Sequence, residues 1–216
     1  MATELAVRFL TVGAFAENSY VVGCPASGRA VLIDPGGEVP ALLEVARELG
    51  LEIDAIWLTH AHLDHVLGLR EAAAATGAPI WLHPEDRMLY DAAPQQGEAF
   101  GFPVEPLPEV DESFASGQRL QLGEHTVEVL FVPGHSPGHV AFWFPEAQTV
   151  VAGDVLFAGS IGRTDLPGGS YETLMRSIRQ VIVPLGDDVR IFPGHGPPTE
   201  VGIERTSNPF LLGRER

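Results

Sequence analysis

The stretch Thr59-His60-Ala61-His62-Leu63-Asp64-His65 decides how the rest of the chain is interpreted, because it places three imidazoles and a carboxylate within six residues. The apolar run at residues 53–58 precedes it and is typical of a buried strand, whereas residues 66–76 follow it with the composition of a helix. Imidazole and carboxylate are ligands that zinc, iron and manganese accept. The stretch therefore predicts a metal site on a loop between a strand and a helix.

Three further segments carry metal-binding side chains at points where an apolar run breaks into a Gly/Pro-rich loop. They are Gly134-His135-Ser136-Pro137-Gly138-His139 after residues 126–132, Gly153-Asp154 after residues 149–152, and Pro193-Gly194-His195-Gly196 after residues 188–192. Glycine allows the backbone to turn sharply at such places, and functional side chains often lie on loops that a rigid scaffold positions. Each segment alone is a weak signal, but together with the first stretch they indicate one site built from several strand ends.

Without His139, these segments supply five histidines and two aspartates, which is enough for two metal ions. We assign His60, His62 and His135 to one ion and Asp64, His65 and His195 to the other, with Asp154 as the bridging carboxylate. Asp64 is also the candidate proton acceptor. Two cations about 3.5–4 Å apart activate a shared water near neutral pH. Structural zinc sites are closed and usually rich in cysteine, so a cysteine-free set with open positions favours catalysis.

Composition narrows the function class. The chain has 216 residues, 45% of them hydrophobic, and a formal net charge of −16. This charge disfavours nucleic acid and anionic membranes as partners. The lone Cys24, interpreted as a structural thiol, fits a reducing compartment. Because no signal peptide and no long apolar run are recognisable, we expect a cytoplasmic protein.

The order of predicted elements indicates two β-rich halves separated and flanked by helices. Predicted strands cover residues 5–12, 19–23, 29–33, 53–58, 78–83, 118–122, 126–132, 140–144, 149–152 and 188–192. Predicted helices cover residues 39–49 and 66–76, a stretch that Ser170 opens and Pro184 ends, and a turn at 201–206. Turns are expected at residues 17–18 and 24–28, a helical turn at 84–90 and a surface loop at 92–106. No interior linker is recognisable, so residues 1–216 are predicted to form a single domain of two packed sheets with outer helices.

In combination, the motifs THAHLDH, GHSPGH, GD and PGHG resemble those of the metallo-β-lactamase-fold hydrolases, and among these the glyoxalase II (hydroxyacylglutathione hydrolase) family. The resemblance implies an α+β fold, a four-layer αββα sandwich of two mixed β-sheets flanked by helices. It implies the ligand roles assigned above. The segments GRTDLPGGS and ERTSNPFL are similar to short bacterial members without the C-terminal helical domain of the longer enzymes.

The resemblance implies a binuclear hydrolase in which metal-bound hydroxide attacks a thioester of the S-lactoylglutathione type. Zinc is the first expectation for the two divalent ions, with iron and manganese as alternatives. The partner is then a small-molecule thioester, and a homo-oligomer is compatible with the family. Arg163 matches the basic residue that contacts the thiol carrier in this family, but Thr164 and Asp165 stand where an aromatic residue usually follows. The glutathione carrier is therefore open, and another small thioester or ester is an alternative.

Alternatives within the same fold use the same residues differently. A persulfide dioxygenase would hold one iron with His60, His135 and Asp154. True β-lactamases usually carry cysteine where this chain has Asp154, which argues against that activity. A metal-dependent binding module without catalysis is the non-enzymatic alternative. His139 and Asp34 are expected behind the ligands, where they would orient them, and His83 is expected to be structural.

Overall fold

The computed structural model describes residues 4–101 and 103–213. The strands are β1 (Ala6–Val12), β2 (Glu17–Cys24), β3 (Arg29–Ile33), β4 (Glu52–Trp57), β5 (Ile80–Leu82), β6 (Glu112–Ser113), β7 (Arg119–Leu122), β8 (His125–Phe131), β9 (Val140–Phe144), β10 (Thr149–Gly153), β11 (Leu156–Phe157), β12 (Ser160–Ile161), β13 (Arg190–Pro193) and β14 (Thr199–Glu200). The helices are α1 (Val39–Glu48), α2 (Leu63–Val66), α3 (Leu69–Thr76), α4 (Arg87–Asp91), α5 (Ala93–Phe100), α6 (Tyr171–Ser177) and α7 (Val201–Ser207). In the described part of the chain, no helix is long and apolar enough to span a bilayer.

The strands form two six-stranded mixed sheets and a separate β11–β12 hairpin. The first sheet has the order β1-β2-β3-β4-β5-β6, antiparallel up to β3 and parallel from β3 onwards. The second has the order β14-β13-β10-β9-β8-β7, in which only β10 and β13 run parallel. The three strands predicted at residues 5–12, 19–23 and 29–33 form an antiparallel meander.

Three clusters of buried side chains define the layers. Between the sheets, Trp57 of β4 packs against Phe142 of β9, with ring centroids 5.0 Å apart. On the outer face of the first sheet, α1 and α3 bury residues such as Leu42 and Leu69. On the outer face of the second sheet, α6 and the turns after it bury residues such as Leu174. Such apolar faces are stable only when another layer covers them, and the predicted αββα sandwich is confirmed.

The predicted surface loop at residues 92–106 is wrong over half its length, because α5 occupies residues 93–100. Pro94 lies in the first turn of this helix, where a missing backbone N–H costs nothing, and Gly101 ends it with φ 77°. Pro94 and Gly101 therefore mark the two ends of a helix, and Gln95, Gln96 and Gly97 lie inside it. The predicted helical turn at residues 84–90 is confirmed by a 3₁₀ turn followed by α4.

The predicted helix at residues 66–76 is broken into α2 and α3 at Gly68. The Gly68 N–H donates to the Pro35 carbonyl at 2.8 Å, and a Cβ at Gly68 would lie 2.7 Å from that oxygen. A side chain therefore does not fit where the loop after β3 crosses the helix. Residues 17–18, predicted as a turn, belong to β2, and the turn lies at residues 13–16 instead.

One predicted boundary and four short strands also differ. The chain does not leave the helical conformation at Pro184, since a π-helical turn at Ile178–Ile182 leads into a 3₁₀ turn at Val183–Leu185. The predicted start at Ser170 is confirmed, because its hydroxyl accepts a hydrogen bond from the Thr173 N–H at 3.3 Å. The strands β6, β11, β12 and β14 have two residues each and were not predicted, since a period of two cannot be recognised over such a length.

Candidate metal centre

The four motif segments meet at one edge of the two sheets. Backbone hydrogen bonds join them directly: the Val140 N–H donates to the Thr59 carbonyl at 2.9 Å, and the Gly194 N–H donates to the Gly153 carbonyl at 2.9 Å. The parallel pairing of β10 and β13 places Gly153 opposite Pro193. Asp154 and His195 therefore leave neighbouring strand ends side by side, next to the loop that follows β4.

The first candidate ligand group is His60, His62 and His135. One ring nitrogen of each lies within 4.8 Å of the others, and all three side chains are buried. His135 Nε2 lies 2.8 Å from His62 Nδ1 and 3.2 Å from His60 Nε2. Three imidazole nitrogens that converge on one point are the arrangement that a divalent transition metal requires.

The second candidate group is Asp64, His65 and His195, whose ligand atoms also lie within 4.8 Å of one another. Asp64 Oδ2 lies 3.1 Å from His195 Nε2 and 3.8 Å from His65 Nε2. The short helix α2 brings this about, because it places Asp64 and His65 on adjacent positions after the loop that carries His60 and His62.

Asp154 lies between the two groups. Its Oδ2 is 3.3 Å from His135 Nε2 in the first group and 3.5 Å from His195 Nε2 in the second, and its Oδ1 is 3.6 Å from His65 Nε2. The carboxylate can therefore contribute an oxygen to each group, which is the position that the sequence assigned to a bridging ligand.

Unpaired buried atoms test whether this set fits metal ions. Among the described residues, three nitrogen or oxygen atoms of the site are buried and have no hydrogen-bond partner. They are His62 Nε2, His65 Nε2 and Asp154 Oδ1. A buried polar atom without a partner costs about 1–3 kcal/mol, so native structures rarely leave several in one place. A divalent cation between His65 and Asp154 would satisfy both atoms. The donor set of imidazoles and carboxylates accordingly fits two divalent ions.

The electrostatics of the site also suit cation binding. Burial lowers the pKa of His60 well below its ordinary value and that of His62 to about 3, so both rings are neutral and keep a free lone pair. Burial opposes the charged forms of His65 and Asp154 as well. For these two groups the attraction between opposite charges is stronger, and it raises the pKa of His65 and holds that of Asp154 well below its usual range. Asp154 is therefore ionised near neutral pH.

Asp34 and His139 lie behind the candidate ligands. Asp34 Oδ1 accepts a hydrogen bond from the Thr59 N–H at 2.7 Å, and its Oδ2 lies 3.0 Å from His65 Nδ1. His139 Nε2 accepts a hydrogen bond from the Asp154 N–H at 3.0 Å, and its ring stacks on His60 with centroids 4.6 Å apart. Such contacts fix the orientation of the rings that face a metal. His83 stacks instead on Phe131, with centroids 4.6 Å apart.

Asp86 is a residue of the site that the sequence analysis missed. Its buried carboxylate accepts hydrogen bonds from the Ala61 N–H at 2.9 Å, from the Ser136 hydroxyl at 2.8 Å and from the Gly138 N–H. It therefore connects the loop that carries His60 and His62 to the loop that carries His135. The only signal in the sequence is that Asp86 follows the end of a strand, as the candidate ligands do.

The candidate substrate residue Arg163 lines the entrance to the site. Together with Phe15, Phe157 and the ligand side chains, it borders a cavity of about 350 Å³. Its guanidinium donates two hydrogen bonds to Asp165, each 2.8 Å long, and its side chain is 58% exposed. The Arg163 carbonyl lies 2.7 Å from His135 Nδ1 and so orients that ring. The cation is therefore at the cavity, but Asp165 partly neutralises it.

This chain resembles known proteins both in sequence and in structure. The model of the metallo-beta-lactamase superfamily matches residues 12–195. The hydroxyacylglutathione hydrolase GloC of Haemophilus influenzae is 41% identical over 207 residues, which are 95% of this chain and 97% of that protein.

Two solved structures are similar over nearly their whole length. The crystal structure of the BLEG-1 B3 metallo-beta-lactamase has a TM-score of 0.89 and 35% identity, and it covers 96% of this chain and 100% of its own. The crystal structure of TTHA1623 in a di-iron-bound form has a TM-score of 0.86 and 42% identity, and it covers 94% of this chain and 100% of its own. The matched regions include the segment from His60 to His195 that carries all the candidate ligands.

Proposed function

Because this chain belongs to the metallo-beta-lactamase superfamily, we propose that its metal centre hydrolyses thioesters of the hydroxyacylglutathione type. The observation that carries the proposal is the position of Asp154, whose two oxygens reach both candidate ligand groups. A shared carboxylate is what a two-metal hydrolase needs. The name of the relative from Haemophilus influenzae, which this chain matches over 97% of its length, supports the thioester as substrate class.

The ligand groups described above would hold two divalent ions, with zinc expected first and iron or manganese as alternatives. Ions bound there would activate a water molecule near neutral pH and stabilise the negative charge that develops on the acyl oxygen. Asp64 is 20% exposed at its side chain. Burial opposes its ionisation, but His65 nevertheless lowers its pKa. The ionised carboxylate is therefore positioned to accept a proton from the attacking water.

The remaining groups act on the substrate. A thiolate is a good leaving group, so the chain does not need a strong general acid at that side of the reaction. The rings of Phe15, Phe100 and Phe157 line the cavity and would pack against a bound substrate. Glutathione carries carboxylates, and we assign their recognition to Arg163, since the protein as a whole is strongly acidic.

The test is an assay of S-lactoylglutathione hydrolysis, in which the decrease in thioester absorbance is measured. We expect turnover that a chelator abolishes and that added zinc, iron or manganese restores. Asp154→Asn should lower kcat by at least about tenfold, because removal of a group that positions or binds metal typically costs that much. Asp188→Asn, at an exposed position, is the matched control and should behave as the unmodified protein. Absence of turnover in metal-loaded protein would contradict the proposal.

Hydrolysis of β-lactams is a second candidate, favoured by the similarity to the B3 metallo-beta-lactamase. The same centre could attack a strained amide, and the same assay with a chromogenic cephalosporin would measure it. We expect the thioester to be the better substrate by kcat/KM, since this chain is 41% identical to the hydroxyacylglutathione hydrolase and 35% identical to the β-lactamase. A higher kcat/KM for the cephalosporin would reverse this assignment.

A further inference from the structure

A second cavity, of about 450 Å³, adjoins the metal centre. His62 and Leu166 line both this cavity and the one that contains the candidate ligands, so the two spaces share a wall. The helices α4 and α5 form one side of it, and Leu166 and Pro167 form the other. We call it the α4–α5 pocket.

The walls of the α4–α5 pocket are almost entirely apolar. Met88, Leu89, Ala92 and Ala99 line the helical side. The amide of Gln96, which also lines it, is held by a hydrogen bond from its Nε2 to the Leu89 carbonyl at 2.8 Å. Of the residues that the structure describes, His62 is the only ionisable one in the lining, although the chain carries 29 acidic and 13 basic residues. Gln95 adds a second amide to the lining, and the pocket therefore favours an uncharged, mostly apolar occupant.

The size and position of the pocket indicate which part of a substrate fits. Pockets of roughly 300–1,000 Å³ hold ligand-sized groups, so a two- or three-carbon acyl group would leave most of this one empty. The charged end of a thiol carrier is excluded, because the pocket offers it no partner, whereas Arg163 lies at the other cavity. Met88 is 62% exposed at the rim, so the apolar lining of the pocket continues to the protein surface.

We propose that the α4–α5 pocket binds the apolar acyl chain of a thioester, so that the enzyme prefers substrates with medium-length acyl chains to S-lactoylglutathione. This inference rests on the proposed thioesterase function and specifies its substrate class. The chain would lie along α4 and α5, with its carbonyl carbon next to His62 and the candidate metal ligands. The carrier would extend towards Arg163.

The reaction is a hydrolysis without redox change. The oxygen of water forms a bond to the acyl carbon, the carbon–sulfur bond breaks, and the sulfur leaves with the bonding electron pair. One proton of the water reaches the thiolate and the carboxylic acid retains the other before it ionises. The products are a fatty acid and a free thiol, and no further reactant is needed.

The first test compares kcat/KM for the acetyl, lactoyl and octanoyl thioesters of glutathione. Burial of each additional methylene in an apolar pocket favours binding by roughly fourfold, so we expect the octanoyl thioester to be the best of the three by at least about tenfold. Ala99→Phe should fill the pocket from α5, and Met88→Asp should place a charge at its rim. Each variant should lower the ratio of octanoyl to lactoyl kcat/KM at least about tenfold. Ala75→Phe, at an exposed alanine of α3, is the matched control and should leave the ratio unchanged.

The second test measures binding without turnover. Octanoate, titrated into the purified protein and followed by calorimetry, should bind more tightly than acetate, and Ala99→Phe should remove the difference. Thioester turnover without chain-length preference and without octanoate binding would overturn the pocket assignment and leave the proposed function intact. Octanoate binding that Ala99→Phe weakens, without turnover of any thioester, would support the pocket as an apolar ligand site and contradict the proposed function. A dimer that dissociates in Ala99→Phe and Met88→Asp, with an unchanged chain-length ratio, would assign this face to a second copy and overturn the proposal.

Discussion

Asp86 hydrogen-bonds to two loops of the candidate metal centre through one carboxylate, in addition to the backbone hydrogen bond that joins Val140 to Thr59. The two oxygens of Asp86 accept hydrogen bonds from the Ala61 and Gly138 N–H groups and from the Ser136 hydroxyl, and all three donors are buried. Loss of a buried hydrogen-bond partner leaves the donor unsatisfied, at a cost of about 1–3 kcal/mol. The residue is therefore a positioning residue for His60, His62 and His135, although it touches none of their ligand atoms.

Asp86→Asn tests this role. The substitution replaces one carboxylate oxygen with an amide NH2 group, which cannot accept a hydrogen bond. We therefore expect a loss of about 1–3 kcal/mol in the free energy of unfolding. We also expect a weaker affinity for metal, measured by competition with a chromophoric chelator. Asp91→Asn, in the same segment but exposed and paired with Arg87, is the control and should change neither quantity by more than about 0.5 kcal/mol. Unchanged metal affinity in Asp86→Asn would show that the loops keep their places without this carboxylate.

A second prediction concerns Arg163 and Asp165. Arg163 is the cation that we assign to substrate recognition, and it forms an ion pair with Asp165 of its own loop. Arg163→Ala should raise KM for S-lactoylglutathione several-fold and leave KM for the thioester of an uncharged thiol nearly unchanged. Asp165→Ala should have the opposite effect on S-lactoylglutathione, since it frees the guanidinium. Steady-state kinetics with both carriers measure this. Equal effects on the charged and the uncharged carrier would exclude Arg163 as the contact for a carboxylate.

The candidate ligands could be predicted from the sequence because each follows an apolar run and lies in a Gly/Pro-rich loop. Asp86 follows a strand end too, but nothing in the sequence connects it with partners 25, 50 and 52 positions away. The pairing of Arg163 with Asp165 was equally invisible, since a sequence does not show which way two exposed side chains turn. The sequence near each strand end thus indicates which side chains are candidate ligands. The contacts that orient those side chains come from distant parts of the chain and form only when it folds.

At the scale of elements, the loop that carries His135 is held against α6 by a close approach at Gly134. Gly134 has φ 131°, and a Cβ there would overlap the backbone nitrogen of Leu174. The Ser170 N–H donates to the Gly134 carbonyl at 2.7 Å, which fixes the start of α6 at the same place. The helix and the metal-centre loop are therefore packed backbone to backbone.

Gly134→Ala should lower the free energy of unfolding more than Gly186→Ala does. Gly186 has a similar φ of 121°, but a Cβ there would meet no atom within 4 Å. Both variants carry the backbone strain of about 1–3 kcal/mol, and only Gly134→Ala adds the overlap with α6, which costs about 1–3 kcal/mol more. Denaturant unfolding measures the difference. If the two variants lose the same stability, the contact between the loop and α6 is loose.

The helix α5 shows where prediction of elements from the sequence fails. Most strands and the helices α1 and α6 were predicted within a few residues, because their apolar side chains recur with a clear period. The helix α5 has 8 residues, which are too few to show a clear helical period of apolar side chains. In addition, Pro94 and Gly97 are residues more typical of loops. Its apolar side chains face the α4–α5 pocket and the cavity of the metal centre, so tertiary packing decides its conformation.

At the scale of the whole molecule, the αββα layers could be predicted because they follow from the alternation of strands and helices and from the family resemblance. The net charge of −16 has a consequence of its own, since charges of one sign repel one another in the folded state. The ion pairs of the exposed surface, such as Arg205 with Asp187, act in the opposite direction, but exposed pairs of this kind contribute little to stability.

We therefore expect sodium chloride to stabilise the protein. The screening length falls from about 30 Å at 0.01 M to about 8 Å at 0.15 M salt, which weakens long-range repulsion more than contacts between neighbouring charges. Thermal unfolding at constant metal content should show a higher Tm at 0.15 M, by about 2–4 °C for each 1 kcal/mol gained. A lower Tm in salt would mean that the ion pairs outweigh the excess of negative charge.

Seven side chains would hold two divalent ions, with Asp154 between the two groups. The number of metal ions per chain tests this arrangement and can be measured by elemental mass spectrometry. The protein is purified without added metal and then equilibrated with zinc or iron. We predict two ions per chain in the unmodified protein and a loss of one ion or more in Asp154→Asn. One iron per chain, unchanged by replacement of Asp64 or His195, would contradict the binuclear centre and favour the mononuclear persulfide dioxygenase instead.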